Sequence, residues 1–330
     1  MLTRRVLLGQ ASAAVASAAL LGRTRGAAAT TVRSAVNFAI PRGACDCHVH
    51  VFGDAAIFPF AEKRIYTPPQ ASVEQLLELQ RDLHLDRVVV VQPSVYGADN
   101  ACTIDAVRRM GARARGVAVI DKATPRTALE EMARAGIRGV RLNLETNTAG
   151  RFDPADARAL LDTTAEQIRG LGWHVQIYTR TSVIADLKNH LAQMPFPVVV
   201  DHFGRGNPAQ GATHPDFAAL LELVKSGHVY VKISGAYRVS EQAPDFAEVA
   251  PLGLALVAAN PDRIVWGTDW PHPNSDYGRA KPLSEISPPF PIDDGLLLNQ
   301  LPKWVPDAAV RKKILVDNPA RLYGFEPVAG

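Results

Sequence analysis

The amino-acid sequence predicts a single-domain α/β protein, a (β/α)₈ or TIM barrel. From residue 44 onward, eight short β-rich runs alternate with helical stretches, which is the pattern of a parallel sheet with helical crossovers. The chain has 330 residues, and a barrel of this kind needs roughly 250 residues in one unit. The Gly-x-Gly-x-x-Gly turn that is typical of the rival doubly wound sheet does not occur.

The strands are predicted from short runs of β-branched and apolar residues. The second run is almost entirely valine, which is typical of a strand buried on both faces. Eight is also the number of parallel strands that closes a barrel. We predict strands at residues 44–50, 87–92, 116–120, 139–144, 173–178, 198–203, 228–234 and 263–269.

Helical stretches lie between these strands, and three of them begin at a candidate capping residue, namely Ser72, Asp153 or Asp216. The helices predicted in this way cover residues 72–83, 127–135, 155–171 and 216–225. Two long stretches, residues 52–69 and 270–306, follow strands one and eight. Because barrel enzymes build their sites at the C-terminal ends of strands, we expect both to cover the substrate.

The first 29 residues have the composition of an export signal. Thr3-Arg4-Arg5-Val6-Leu7-Leu8 is a twin-arginine pattern, and an Ala-rich apolar stretch and Ala27-Ala28-Ala29 follow it. The apolar stretch has about 16 residues, fewer than the roughly 20 that span a bilayer, so export is favoured over anchoring. We therefore predict a signal at 1–29, a lead-in at 30–43, a barrel domain at 44–330, and a periplasmic or secreted protein without membrane attachment after processing.

Composition excludes several other classes of protein. Hydrophobic residues make up 47% and charged residues 21%, as in a globular protein with a large core. The net charge is +3, and without the six arginines of the first 42 residues 30 basic side chains face 33 acidic ones, so no nucleic-acid surface is indicated. Cys45 and Cys47, two apart on a strand, are poorly placed to bond to each other. We expect them to be buried behind the strand, as small apolar residues.

Four polar side chains follow strand ends and indicate an active site. His48 and His50 close the first strand on one face, and neutral imidazoles bind metals or donate hydrogen bonds to an oxygen. His202 ends the sixth strand and Asp269 ends the eighth, so all four reach one rim. Each alone is equally typical of a cap or a core residue, but four together predict function.

These motifs resemble the amidohydrolase superfamily, in the branch that opens with Asp-Cys-His-Val-His and carries Gly-Thr-Asp-Trp-Pro-His near its end. Here the motifs are residues 46–50 and 267–272, and residues 318–325 are similar to the closing helix of that branch. The resemblance covers residues 44 to about 325. Within the branch, the chain is similar to the 2-pyrone-4,6-dicarboxylate lactonase group, which includes sugar-acid lactone enzymes and sulfomuconolactone hydrolases.

The resemblance also limits the metal chemistry. Metal-rich members carry a bridging lysine on strand four and a histidine on strand five, where this chain has Arg141 and Tyr178. Lys232 lies too deep in strand seven to bridge metals, and we expect it to pair with Asp46 inside the barrel. The resemblance implies either no cofactor, as in the pyrone-dicarboxylate lactonases, or one divalent ion, Zn²⁺ or Mn²⁺, held by His48, His50, His202 and Asp269.

Arginines at several strand ends predict an anionic substrate, because guanidinium groups bind carboxylates in a bidentate fork. A single loop arginine is as often solvated or salt-bridged, but several at one mouth favour a carboxylated ligand. By resemblance, Arg141, Arg205 and Arg238 match the carboxylate contacts of the lactonase group, and Tyr178 and Tyr66 fall where that group places phenols. Further candidates for substrate contact are Ser94 and Arg180.

The predicted reaction is hydrolysis of the ester bond of a carboxylated lactone. Asp269 is expected to be the general base for water, with His48, His50 and His202 stabilising the oxyanion. A lactone isomerase and a metal-dependent decarboxylase or amidohydrolase of the same superfamily are the alternatives. The expected partner is a small anionic lactone or carboxylic acid and not nucleic acid, and a homo-oligomer is left open. A two-lobed binding protein is disfavoured because no boundary between lobes is apparent.

Overall fold

The computed structural model of the protein describes residues 33–144, 153–275 and 281–327. Eight parallel strands follow one another in chain order, each hydrogen-bonded to the next, so the predicted (β/α)₈ barrel is confirmed. Strands β1 to β8 are Cys45–Val49, Arg87–Val91, Ala114–Ala118, Ile137–Asn143, His174–Tyr178, Val198–Val200, Val229–Ser234 and Ile264–Gly267.

The predicted strands differ from these mainly at their ends. β3 begins at Ala114, before the predicted start, because pairing with β2 extends the ladder over residues of low β-propensity. β6 and β8 end early because His202 and Asp269 have φ angles of 49° and 66°, which an extended strand cannot contain.

The barrel closes between β1 and β8 at the edge where the strands end. The N–H of Asp269 donates to the carbonyl of His48 at 2.8 Å, and the N–H of His50 donates to the carbonyl of Trp270 at 2.7 Å. These backbone bonds bring the side chains of His48, His50 and Asp269 to adjacent points of one rim.

Helices surround the barrel and include all four that the sequence predicts. Ser72 forms a capping box with Gln75, and Asp153 accepts from the N–H of Ala155, as expected. The prediction for Asp216 was wrong: His214 is the cap, since Pro215 occupies the first helical position. Helices α1 to α11 are Val73–Asp82, Ala101–Met110, Arg126–Arg134, Pro154–Ile168, Thr181–Leu191, Pro215–Lys225, Ala250–Ala259, Asp294–Leu298, Leu301–Trp304, Ala308–Lys312 and Asn318–Tyr323.

The lower interior of the barrel is a small apolar cluster with side chains from β1, β2, β3, β6, β7 and β8. Cys45 and Cys47 belong to it, so the expectation that they lie behind β1 was wrong. The register with β2 shifts between Asp46 and Val49, and this irregularity interrupts the alternation of side chains along β1. Tyr323, at the end of α11, is fully buried in the same cluster and plugs the barrel floor.

The two long loops lie together over the strand ends. Phe52, at the start of the first loop, pairs with Ala71, just beyond its end, and Thr67 pairs with Ile286 of the second loop. Both loops contribute to the cavity described below, as predicted.

The predicted export segment, residues 1–29, lies outside the described residues. The described part of the lead-in, residues 33–43, has no helix or strand, and Ser34 bonds to Asp293 at the start of α8. Among the helices of the three described ranges, we find none that is both long and apolar enough to cross a membrane.

Candidate active site

A cavity of about 400 Å³, its open mouth included, lies at the C-terminal ends of the strands. Most of the predicted site residues reach it, together with side chains from both long loops. Its lining residues are His50, Tyr66, Pro93, Ser94, Arg141, Asn143, Tyr178, His202, Arg238, Asp269, Pro273 and Ser275.

Asp269 is fully buried at the inner end of this cavity, and its two carboxylate oxygens have different surroundings. Oδ2 accepts from the Tyr237 hydroxyl at 2.7 Å and from Nε of Arg238. Oδ1 has no hydrogen-bond partner and lies 3.6 Å from Nε2 of His48 and 3.4 Å from Nε2 of His50. Hydrogen bonds therefore fix Oδ2 in place, whereas Oδ1 faces the two imidazoles without a hydrogen bond.

Asp269 is ionised at neutral pH. Burial alone raises the pKa of this carboxyl, but the Arg238 guanidinium and the neighbouring imidazoles hold it well below its usual value of 3.8. We take the fixed charge of Arg238 as the dominant stabilising contact. The carboxylate is therefore unprotonated, which a general base requires, although its low pKa makes it a weak base.

His48, in β1, and His50, directly after it, have different partners at Nδ1. His50 Nδ1 lies 2.8 Å from the carbonyl of Val91, which only accepts, so the neutral ring carries its proton on Nδ1. Its Nε2 is then an acceptor, which differs from the expectation that all three histidines donate to an oxyanion. His48 lies deeper in the barrel. Its burial, and after that the charge of the Lys232 ammonium, hold the pKa of this imidazole well below 6.5.

His202 joins this group from the turn after β6. Its Nδ1 lies 2.9 Å from Oγ of Ser234, and its Nε2 lies 3.7 Å from Oδ2 of Asp269. Burial lowers the pKa of His202 to about 4, so the ring is neutral at pH 7. Gly235 has a φ of 57°, and a Cβ there would lie 2.8 Å from Nδ1 of His202, so a larger residue would displace the imidazole.

Below the rim lies a buried polar network that the sequence analysis did not assign to the site. Asp201 accepts from Nε of Arg141 at 3.2 Å and from the Gln176 amide at 3.0 Å. Lys232 pairs with Asp201 at 3.5 Å, so the predicted pairing with Asp46 was wrong. Asp46 instead accepts from the Thr268 hydroxyl at 2.6 Å.

The predicted substrate contacts lie in three different places. Arg141 and Arg238 line the cavity, as do Tyr66, Ser94 and Tyr178. Arg205 donates to the Tyr178 hydroxyl at 2.8 Å and lines an adjoining cavity, whose wall it shares with Arg238. Arg180 is exposed at the start of α5, because the chain turns outward once Tyr178 has taken the inward position.

The donor set fits a single divalent cation. Nε2 of His48, Nε2 of His50 and Oδ1 of Asp269 lie within 4.8 Å of one another, and two of these atoms are buried without a hydrogen-bond partner. Imidazole and carboxylate ligands suit Zn²⁺ or Mn²⁺, with His202 adjacent. An ion held there would polarise a carbonyl as a Lewis acid.

A family model for amidohydrolases matches residues 45–325. The chain belongs to the amidohydrolase family. This amidohydrolase is 40% identical over 294 residues to a 4-sulfomuconolactone hydrolase of Rhizobium radiobacter, covering 88% of this chain and 92% of the relative. It is 39% identical over 300 residues to a 2-pyrone-4,6-dicarboxylate hydrolase of Comamonas testosteroni, covering 88% and 93%.

A crystal structure from Agrobacterium tumefaciens, solved without ligand, shares the fold. It is 30% identical and superposes with a TM-score of 0.75 over 89% of this amidohydrolase and all of that chain. The resemblance drawn from the motifs is confirmed.

The polar residues of the site that were missed from the sequence include Asp201, Tyr237 and Lys232 as a contact of His48. Asp201 and Tyr237 follow the ends of β6 and β7, so the strand-end rule that found His202 and Asp269 applied to them as well. Lys232 carried no such signal, because its role depends on which side chains meet inside the barrel.

Proposed function

We propose that this amidohydrolase hydrolyses the ester bond of a lactone that carries at least one carboxylate. The observation that carries the proposal is the unpartnered, fully buried Oδ1 of Asp269, which faces two imidazoles in a cavity lined by Arg141 and Arg238. The names of the relatives, a sulfomuconolactone hydrolase and a pyrone-dicarboxylate hydrolase, describe substrates of this class.

Asp269 and His50 bind the attacking water in this proposal. Oδ1 of Asp269 takes a proton from water, and Nε2 of His50 accepts the other hydrogen bond, so the oxygen is aimed at the lactone carbonyl. The water oxygen bonds to the carbonyl carbon and the ring C–O bond breaks. Asp269 then returns its proton to the departing ring oxygen, which becomes a hydroxyl group. The new carboxyl group keeps the other proton of the water and releases it to solvent at neutral pH, which leaves a carboxylate.

The remaining imidazoles stabilise the negative charge that develops on the carbonyl oxygen. His48 and His202 have ring centroids 4.6 Å apart, next to Asp269, so both can approach a carbonyl that lies over its carboxylate. Buried, oriented donors of this kind contribute about 3–4 kcal/mol each to transition-state stabilisation in hydrolases.

Arg141 and Arg238 are proposed to bind the carboxylates of the substrate. Cζ of Arg141 lies 5.1 Å from the centroid of the Tyr178 ring, and Nε of Arg141 donates to Asp201. Protein contacts therefore set the orientation of this guanidinium before substrate binds. Arg238 contacts Asp269 directly, so it would place a substrate carboxylate close to the reacting atoms. Tyr66 and Ser94 complete this wall.

A panel of lactones tests the proposal. The mature protein is incubated with 4-sulfomuconolactone, 2-pyrone-4,6-dicarboxylate, a sugar-acid lactone and the methyl esters of the carboxylated members. Each is assayed with and without a chelator, and ring opening is followed by ultraviolet absorbance and proton release. We expect turnover of carboxylated lactones. Interconversion of lactone isomers without proton release would instead assign an isomerase, and absence of turnover on every carboxylated member would overturn the proposal.

We also propose that residues 1–29 direct export through the twin-arginine route, on the strength of Arg4, Arg5 and the apolar stretch after them. Changing Arg4 and Arg5 to Lys should retain the protein in the cytoplasm of its host. Equal amounts of periplasmic protein from the double variant and the wild type would show that the segment is not a signal of this kind.

A further inference from the structure

Lys232 lies inside the barrel beneath the active site, and no step of the proposed reaction uses it. It is 0% exposed in the middle of β7. Its Nζ has three neighbours that can accept: Oε1 of Gln176 at 2.7 Å, Nδ1 of His48 at 3.3 Å and Oδ1 of Asp201 at 3.5 Å. The contacts with Gln176 and His48 satisfy hydrogen-bond geometry, whereas the 3.5 Å contact with Asp201 is an ion pair only.

The contact with His48 determines where that imidazole carries its proton. A neutral ring has one N–H and one lone pair, and Nδ1 accepts from Lys232 only if its proton is on Nε2. Nε2 then points an N–H towards Oδ1 of Asp269, a residue that lines the cavity, whereas His48 itself lies behind the lining.

Asp201 favours the opposite tautomer, since its Oδ1 lies 3.3 Å from the same Nδ1. If Nδ1 donated to this carboxylate, Nε2 would carry the lone pair, as in the carboxylate–histidine–metal arrangement common at zinc sites. The geometry does not support that donation, because Oδ1 of Asp201 has no hydrogen-bond partner whereas the Lys232 contact satisfies hydrogen-bond geometry.

We propose that Lys232 is a positioning residue that keeps the proton of His48 on Nε2, which makes His48 a hydrogen-bond donor to the substrate carbonyl and a poor metal ligand. The catalytic half of this inference rests on the proposed lactone hydrolysis. The tautomer itself does not depend on any substrate.

The two histidines of the His-x-His motif thereby have opposite functions. Val91 holds the proton of His50 on Nδ1, so His50 accepts a hydrogen bond from the attacking water. Lys232 directs the proton of His48 to Nε2, so His48 donates to the carbonyl oxygen. Both rings lie next to Asp269, and their Nδ1 partners give them different roles.

The first test is the ¹⁵N NMR spectrum of the histidine-labelled protein at pH 7.5, because protonated and unprotonated ring nitrogens have well separated shifts. The signals of His48 are assigned by their loss in H48Q. We expect a protonated Nε2 and an unprotonated Nδ1 in the wild type. A protonated Nδ1 on His48 would overturn the inference, and this measurement requires no variant at position 232.

The second test is zinc affinity, measured by equilibrium dialysis of the metal-stripped protein with Zn²⁺ alone. In K232M, His48 is free to donate Nδ1–H to Asp201, and we expect zinc to bind about 10–100-fold more tightly than to the wild type. K188M removes a lysine from a surface ion pair with Glu222 and should bind zinc like the wild type. Unchanged affinity in a folded K232M, as judged by circular dichroism, would contradict the proposal.

Neither measurement uses a lactone, so a failure of the role of Lys232 can be distinguished from a failure of the proposed function. Failure of the whole lactone panel, with the predicted His48 tautomer, would overturn the proposed function and leave the positioning role of Lys232 intact. If lactones turn over, K232M should lower kcat more than it raises KM, since the donor to the transition state is lost whereas Arg141 and Arg238 still bind the substrate. A change confined to KM would argue against the donor role.

Discussion

At the scale of single residues, the proposed reaction depends on the different surroundings of the two carboxylate oxygens of Asp269. Tyr237 and Arg238 occupy Oδ2, and both come from the turn that follows β7. Oδ1 faces only the Nε2 atoms of His48 and His50. Two protein donors on one oxygen fix the carboxylate plane, so the second oxygen has a defined direction towards the cavity.

Replacing Asp269 by Asn tests the base directly. The amide is nearly isosteric but accepts no proton at neutral pH, so we expect kcat on the identified lactone to fall by about 10²–10⁴-fold with little change in fold. The comparison is D262N, which alters a carboxylate at the opposite end of β8. Activity of D269N within tenfold of the wild type would exclude Asp269 as the base.

The charge preference of the cavity is tested with Arg141→Met. Each matched carboxylate is expected to favour the acid over its methyl ester by at least about tenfold in kcat/KM, equivalent to ~1.4 kcal/mol. R141M should remove most of this preference and cost less on the neutral ester. R180M is the matched control, because Arg180 is exposed and outside the cavity lining. If R141M keeps the preference, or R180M loses it, Arg141 is not the carboxylate ligand.

At the scale of secondary-structure elements, the last helix completes the barrel. α11 inserts Tyr323 into the cluster formed by Cys45, Cys47 and the valines of several strands. The Tyr323 ring meets that of His174 edge to face, with centroids 5.2 Å apart, although its hydroxyl has no hydrogen-bond partner. The contribution of Tyr323 to stability therefore comes from the volume and apolar area of the ring.

Two substitutions at Tyr323 separate these contributions. Tyr323→Ala leaves a void in the barrel floor and should lower the free energy of unfolding by about 3–5 kcal/mol. Tyr323→Phe removes only an unpartnered hydroxyl and should be neutral or slightly stabilising. Urea denaturation measures both, with the exposed Arg321→Ala as the control. Equal losses in the Phe and Ala variants would show that the hydroxyl, and not the ring, is the stabilising group.

At the scale of the whole molecule, the barrel encloses many ionisable groups, which makes its stability sensitive to acid. Burial lowers the pKa of His174 to about 3, and that of His202 to about 4. Both values lie below the 6.5 of an exposed histidine, so the unfolded chain binds protons at a pH where the folded protein does not. With respect to these two histidines, the free energy of unfolding is therefore highest above pH 6.5 and decreases as the pH falls towards 4.

His174→Gln tests this dependence, because glutamine does not titrate. The shift of His174 corresponds to at most about 5 kcal/mol of lost stability on acidification. We expect the fall in unfolding free energy between pH 6.5 and 4 to be several kcal/mol smaller in H174Q than in the wild type. His84→Gln, at an exposed position, serves as the control. Parallel curves for H174Q and the wild type would contradict the assignment.

The fold class and the grouping of the candidate site residues at one rim were predictable from the sequence alone. Alternating β-rich and helical runs predicted eight parallel strands, and the C-terminal ends of such strands must share one edge, so His48, His50, His202 and Asp269 could be grouped without coordinates. Ser72 and Asp153 were predicted as helix caps for a similarly local reason, since a cap is satisfied by backbone within a few residues.

Other features were decided only by the tertiary structure, because they depend on contacts between distant segments. The irregularity in β1 depends on the register with β2, which places Cys45 and Cys47 inside the barrel. Arg180 turned outward although Arg141 and Arg238 reached the cavity, because β5 ends at Tyr178 and the chain leaves the strand there to begin the next helix. The partner of Lys232 was likewise decided across the barrel, because sequence periodicity gives the face of a side chain but not the residue it meets there.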